Sequence, residues 1–180
     1  MEKHFIGIVG SLRKKSFNRS LMRAAQKFAP EGINIENVEI GDFPLFNQDR
    51  EKENYPENVQ KVKDQITAAD GVLFVTPEYN RSVPGVLKNA IDWLSRPPGT
   101  SPFKGKPVLV IGASTGQLGT AIGQYHLKQS LLYLDARVLG QPEFYLSNAG
   151  EKFDEEGNLT DDRTRVLLIG ALERLAAAVG

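Results

Sequence analysis

The chain contains no cysteine, only two histidines and a single tryptophan. Without thiols it can form neither disulfides, thiolate metal sites nor a cysteine nucleophile, and two histidines are too few for a histidine-rich metal centre. Redox chemistry would therefore need a bound cofactor. An excess of one charge is also missing, since 22 basic residues balance 22 acidic ones. That balance supplies no long-range field toward nucleic acid or an anionic membrane. No apolar run approaches bilayer-spanning length, and no charged stretch, apolar stretch and cleavage site open the chain as a secretory signal would. The expectation is a cytoplasmic protein with no nucleic-acid or membrane partner, in which the N-x-[ST] triplets at Asn18, Asn80 and Asn158 carry no glycosylation meaning. The acidic run Asp154-Glu155-Glu156-Gly157-Asn158 lacks the spacing of a calcium loop and reads as solvated, so no metal site is expected.

What the chain does have is a regular alternation of strand and helix patterns. Its 180 residues suit one core and one domain, 1–180. His4 to Val9 reads as a buried strand, and Phe17, Leu21, Ala24, Ala25 and Phe28 recur at helical spacing before Pro30-Glu31-Gly32. Ile33 to Val38 alternates like an edge strand, and Leu45 to Pro56 reads as an exposed loop. Val59, Val62, Ile66 and Ala69 mark a second helix from about Glu57, followed by the apolar run Val72 to Val75. Pro84 opens a helix to about Leu94, Arg96 to Lys106 is a loop, and Pro107 to Ala113 is another buried strand. A further helix ends near Leu134, a short fifth strand begins at Arg137, 149–162 is an acidic loop, and Thr164 to Val179 is an amphipathic helix.

Units of this kind predict an α/β three-layer sandwich around a five-stranded parallel sheet. Under right-handed crossovers the economical strand order is the flavodoxin-like 2-1-3-4-5. Strands one and three then meet at the topological switch point, and a ligand crevice opens beyond their carboxyl ends. Three polar loops should converge there: Gly10 to Ser16, Thr76 to Val83 and Ser114 to Gly119.

The first of these loops passes directly into a helix and carries hydroxyls, an amide and a fixed cation at Ser11, Arg13, Ser16 and Asn18. Free N–H groups at a helix start, with the positive end of its dipole, suit a phosphate. The loop is neither a Walker A sequence nor the Rossmann G-x-G-x-x-G. On the second loop Pro77 and Tyr79 offer apolar surface to a flat ring system, and backbone N–H groups and Asn80 can bond its polar edge. An ordinary turn would also use Pro77 and Asn80.

These stretches together resemble a known family. Gly10-Ser11-Leu12-Arg13-Lys14-Lys15-Ser16-Phe17-Asn18 and Thr76-Pro77-Glu78-Tyr79-Asn80 resemble the NADPH-dependent FMN reductases, in particular the bacterial quinone, chromate and azo-dye reductases. The likeness continues through Gly85 to Leu94, Gln124-Tyr125-His126-Leu127 and Pro142-Glu143-Phe144. It implies that Ser11, Arg13, Ser16, Phe17 and Asn18 hold the FMN phosphate. Pro77, Glu78, Tyr79 and Asn80 would contact the isoalloxazine ring, and Ser114, Thr115 and Gly116 would line its other edge. Lys15 departs from the small residue that many relatives carry at that position.

The resemblance also implies NADPH or NADH as electron donor, a small-molecule acceptor, and a homodimer or homotetramer. Val86, Leu87, Ala90, Ile91, Trp93 and Leu94, and then Tyr125, Leu127, Leu131, Leu132, Tyr133 and Leu134, occupy more of their helices than one core-facing stripe needs. That surplus supports the packing of both helices across subunits that the resemblance implies, the alternative being that both are deeply buried within one subunit.

In this reading the hydride chemistry belongs to the flavin, and no catalytic side chain is assigned. His126 and Glu78 are considered as proton donors, and Arg81 as a contact for dinucleotide phosphates. A non-enzymatic flavodoxin-type electron carrier or flavin-dependent interaction module is the alternative; a dedicated carrier usually needs a charged docking face, and the neutral charge balance argues against one. A phosphate-binding hydrolase lacks the G-x-S-x-G elbow.

Overall fold

The computed structural model describes residues 2–179. In chain order the elements are β1 (Lys3–Val9), α1 (Phe17–Lys27), β2 (Ile33–Val38), α2 (Gln48–Glu53), α3 (Glu57–Ala68) and β3 (Gly71–Val75). They continue with α4 (Gly85–Leu94), β4 (Pro107–Ala113), α5 (Ala121–Tyr133), β5 (Arg137–Val138), β6 (Phe144–Leu146) and α6 (Asp162–Ala177). All strand pairs are parallel, in the order β2-β1-β3-β4-β5 that the sequence implies.

The period of two in the central strands sends alternate residues to opposite faces. Ile6 and Ile8 of β1, Val72 and Phe74 of β3, and Val108 and Val110 of β4 join Ile66, Leu87 and Leu127 from α3, α4 and α5 in one core. Their neighbours Phe5, Val9, Leu73, Val75, Leu109 and Ile111 meet Leu21 of α1 and Leu168 and Leu172 of α6 in the other. Each such side chain contributes roughly 1.5–3 kcal/mol by leaving water. Gly7 faces α1, and a Cβ there would lie 2.6 Å from Cε of Met22, the flexible end of a side chain that would have to move aside.

Two elements depart from expectation. The sheet has six strands, because β6 also pairs with β4. β5 takes Pro107 and Val108, β6 takes Ile111 to Ala113, and β3 holds the other edge of β4. Two short strands thus share the position of one fifth strand, and Pro142 between them has no N–H to continue a ladder. The second departure is α2, inside the stretch expected to be an irregular loop. Asn47 Oδ1 caps it by accepting from Asp49 N–H at 2.8 Å. None of its residues is buried, so no apolar period announces it.

The surplus of apolar residues on α4 is taken up within the one chain. Leu87, Ala90, Ile91, Trp93 and Leu94 are all buried. Trp93 donates its ring N–H to Pro44 O at 2.7 Å and meets Phe46 and Tyr55 edge-on at 5.1 and 5.5 Å. Tyr55 donates to Trp93 O at 2.9 Å, and burial first, then Glu51 and Asp64, push its hydroxyl up to about 12. On α5 the outcome is different. Leu127 and Leu131 are buried, but Tyr125, Leu132 and Tyr133 are exposed.

Candidate functional site

The three loops after β1, β3 and β4 meet at the carboxyl ends of their strands and are tied to one another by short contacts. Gly10 N–H donates to Val75 O at 2.9 Å, and Thr76 N–H donates to Ile111 O at 2.9 Å. A Cβ on Gly10 would stand 3.0 Å from Leu87 and 3.3 Å from Pro77. A Cβ on Gly112 would stand 2.1 Å from Thr120 Oγ1 and 2.3 Å from Thr76 O, so only glycine fits there.

Ser11, Ser16 and Asn18 are buried, and Arg13 and Phe17 flank them with more exposure. Ser16 caps α1, its hydroxyl accepting from Asn18 N–H at 3.2 Å. Among the described residues, the N–H groups of Leu12 through Phe17 make no hydrogen bond to the rest of the chain. They stand at the positive end of α1, beside the guanidinium of Arg13, which donates to Lys15 O at 3.3 Å. Unpaired donors, a helix start and a fixed cation fit a phosphate monoester dianion. Phe17 packs its ring 5.8 Å from that of Phe153, so its own donor is its backbone N–H. The carboxamide of Asn18 is engaged at both ends by Ala113, with bonds of 2.9 Å each, which leaves one Nδ2 proton free.

The second loop is a two-residue hairpin. Tyr79 and Ser82 exchange hydrogen bonds of 3.1 and 2.9 Å around Asn80 and Arg81, whose φ values of 49° and 61° define a type I′ turn. Tyr79 stands half out of the surface at 47 % exposure. Glu78, Asn80 and Arg81 form one wall of a cavity, and Ser114, Gly116, Gln117, Leu118 and Thr120 form the other. Ser114 Oγ accepts from Gly116 N–H at 3.0 Å and so shapes the start of the third loop. Glu78 sits differently from a free ring contact. Its Oε2 accepts from Gly123 N–H at 3.0 Å, and its Oε1 accepts from Arg81 at 3.2 Å. His126 Nδ1 lies 3.0 Å from Ser82 Oγ.

The twelve candidate residues thus fall on the three loops and the first turn of α1, beyond the carboxyl ends of β1, β3 and β4. Arg13 and Phe17 line a cavity beside Phe153, and Glu78, Asn80, Ser114 and Gly116 line the cavity between the second and third loops. Gln117, Leu118 and Thr120 also line the cavity and went unassigned, although they continue the same glycine-flanked run in sequence. Gly123 was not singled out from sequence, and neither its bond to Glu78 nor the contact of His126 with Ser82 could be read there, because these partners lie on another loop. Beside the third loop, Tyr125 and Tyr145 both donate to Glu143 Oε1, at 2.8 and 2.7 Å. These two bonds, Tyr145 first, hold the Glu143 carboxyl below the usual range, and burial followed by the bond to Glu143 pushes the Tyr145 hydroxyl up.

No cluster of His, Asp and Glu among the described residues could hold a metal ion. None of their helices is long and apolar enough to cross a membrane.

Comparison with known proteins agrees with this geometry. An NAD(P)H-dependent FMN reductase of Pseudomonas aeruginosa is 48% identical over 170 residues, 94% of this chain and 91% of the relative. A 2-hydroxy-1,4-benzoquinone reductase of a Burkholderia species is 46% identical over 172 residues, 96% of this chain and 93% of the relative. The solved structure of a flavoenzyme NAD(P)H:(acceptor) oxidoreductase from Paracoccus denitrificans superposes with a TM-score of 0.90 at 41% identity, covering 98% of this chain and 97% of that one. Relatives that are themselves reductases and oxidoreductases set aside the electron-carrier alternative. The family model for NADPH-dependent FMN reductase matches residues 4–151, and the chain belongs to that family of flavodoxin-like oxidoreductases.

Proposed function

We propose that this chain carries FMN across the three-loop crevice and moves electrons from NADPH or NADH to quinones, free flavin or other small oxidants such as chromate and azo compounds. The reading is carried by one observation: the loop with the unpaired N–H groups of 12–17 and the two loops that line the Glu78–Thr120 cavity follow the adjacent parallel strands β1, β3 and β4 at their carboxyl ends. When bound, the flavin would supply the hydride acceptance and donation that no side chain of this protein offers.

The residues divide the remaining work. Ser11, Arg13, Ser16, Phe17 and Asn18 would hold the phosphate, mainly through backbone N–H groups, two hydroxyls and one guanidinium. Pro77, Tyr79 and Asn80 would bound one side of the ring, with Glu78 contributing its backbone and methylenes because its carboxylate is engaged elsewhere. Ser114, Thr115 and Gly116 would line the opposite edge. Arg81, 65% exposed in its side chain, stands at the cavity's rim, where it can meet the phosphates of an arriving dinucleotide.

Two cores on opposite faces of one sheet support treating residues 1–180 as one domain. The exposed Tyr125, Leu132 and Tyr133 on α5 support assembly of two or four copies through that helix. A cytoplasmic location, where NADPH and NADH are at hand, belongs to the same proposal. An absorbance spectrum of the purified protein, followed by anaerobic titration with NADPH and NADH, tests the proposal. Flavin bands bleached by either donor and restored by a quinone are expected. A protein that binds no FMN, or FMN that neither donor bleaches, overturns it.

A further inference from the structure

We infer that Glu78 is a positioning residue, a carboxylate that caps α5 from across the crevice and so fixes the hairpin against the third loop. The inference rests on the flavin reading above and goes beyond it. Helix α5 begins without a cap of its own. Thr120 precedes it at φ 73°, and its hydroxyl is turned to another use, accepting from Gln124 Nε2 at 2.9 Å. The third N–H of the helix, that of Gly123, is the donor an N-cap side chain would ordinarily satisfy. Glu78 satisfies it instead, from 45 positions away in sequence.

Several features show that this contact is built into the fold. The Glu78 side chain is only 8% exposed, and its charge is met by a helix start on one oxygen and by Arg81 on the other. Gly123 allows the approach, since a Cβ there would lie 3.3 Å from Glu78 Cβ and Cγ and 3.1 Å from Ser82 O. One helical turn further along the same face, His126 meets the Ser82 hydroxyl at 3.0 Å. The hairpin held in this way contains Asn80 and Arg81 in the left-handed region, a conformation that persists only where its surroundings enforce it. A loop whose turn is strained and whose base is pinned presents its cavity face in one geometry.

The inference separates ring positioning from phosphate binding, and flavin titrations of the apoprotein read the two apart. Glu78→Ala removes both bonds, whereas Glu78→Gln keeps a carbonyl acceptor for Gly123. Glu78→Ala is expected to weaken FMN and riboflavin alike, by about tenfold to a hundredfold, the range of one lost charge-assisted hydrogen bond. Glu78→Gln should return both affinities to within about threefold of the wild type. If Glu78→Ala does not fold, Glu78→Asp keeps the charge but withdraws it from Gly123, and should show the same parallel loss. Unchanged affinities in Glu78→Ala overturn the inference, as do a loss confined to FMN or a Glu78→Gln variant as weak as Glu78→Ala. A wild-type apoprotein that binds neither flavin overturns the flavin reading and this inference together; wild-type binding with an indifferent Glu78→Ala overturns this inference alone.

Discussion

Asn18 and Ala113, 95 positions apart, exchange two hydrogen bonds of 2.9 Å between the side-chain amide of one and the backbone of the other. The pair joins the first turn of α1 to the last residue of β4, and so holds the first and third loops of the crevice in register. Asn18→Ala would leave a buried N–H and a buried C=O unpaired. The expected cost is about 2–6 kcal/mol, at 1–3 for each orphaned group. Urea unfolding of the apoprotein reads that loss directly. A variant as stable as the wild type would show that the two backbone groups find other partners.

Arg13 should affect only ligands that carry a phosphate. Its guanidinium is exposed and bonded within its own loop, so Arg13→Ala leaves the fold untouched. FMN binding is expected to weaken by about 1.5–3 kcal/mol, the worth of a charge-assisted hydrogen bond, while riboflavin binding stays constant. Parallel titrations of the two flavins, repeated at raised salt, check this. Equal losses for both would remove Arg13 from the phosphate site. Ser16→Ala adds a fold component of about 1 kcal/mol, because its hydroxyl caps α1.

These two residues also show where the sequence was informative. Arg13 and Ser16 sit on one continuous stretch between a buried strand and a helix, and local chemistry suffices to read them. The buried runs of β3 and β4 announce themselves in the same way. Asn18 was readable as a loop donor, but its bond to Ala113 was not, because the sequence carries no record of which distant backbone group a carboxamide will meet. The same holds for Glu78 and Gly123. β6 is three residues long and is defined by pairing with a strand more than thirty positions earlier, so no local period reveals it. Helix α4 misled for a related reason: its extra apolar face is covered by Phe46 and Tyr55, residues of a stretch that reads as polar.

Glycine substitutions should split by what a Cβ would meet. At Gly112 it would press on Thr120 Oγ1 and on the carbonyl of Thr76, a backbone atom that cannot rotate away. Gly112→Ala is expected to cost about 3 kcal/mol or more and to displace the second and third loops together. At Gly170, exposed within α6, a Cβ meets nothing within 4 Å. Gly170→Ala should stabilise by roughly 0.5–1 kcal/mol, by lowering the entropy of the unfolded chain. Thermal unfolding of the two variants beside the wild type checks both signs. Two shifts in the same direction would contradict the geometry at one of the sites.

Stability should fall in acid through Asp161, which caps α6. Its Oδ2 accepts from Thr164 Oγ1 at 2.6 Å and from Thr164 N–H at 2.8 Å, and its Oδ1 accepts from Lys152 at 2.9 Å. These bonds, that from the Thr164 hydroxyl foremost, hold its carboxyl well below the usual aspartate range. A group whose folded pKa is depressed stabilises the fold above its unfolded pKa, near 3.9, and loses that contribution as pH falls through the lower folded value. Asp161→Asn keeps a side chain able to cap but removes the titrating charge. The wild type should therefore exceed Asp161→Asn in urea midpoint at pH 7, and the difference should shrink steadily below about pH 4. A gap that stays constant from pH 7 to pH 2 would mean that the carboxylate's charge plays no part in anchoring α6.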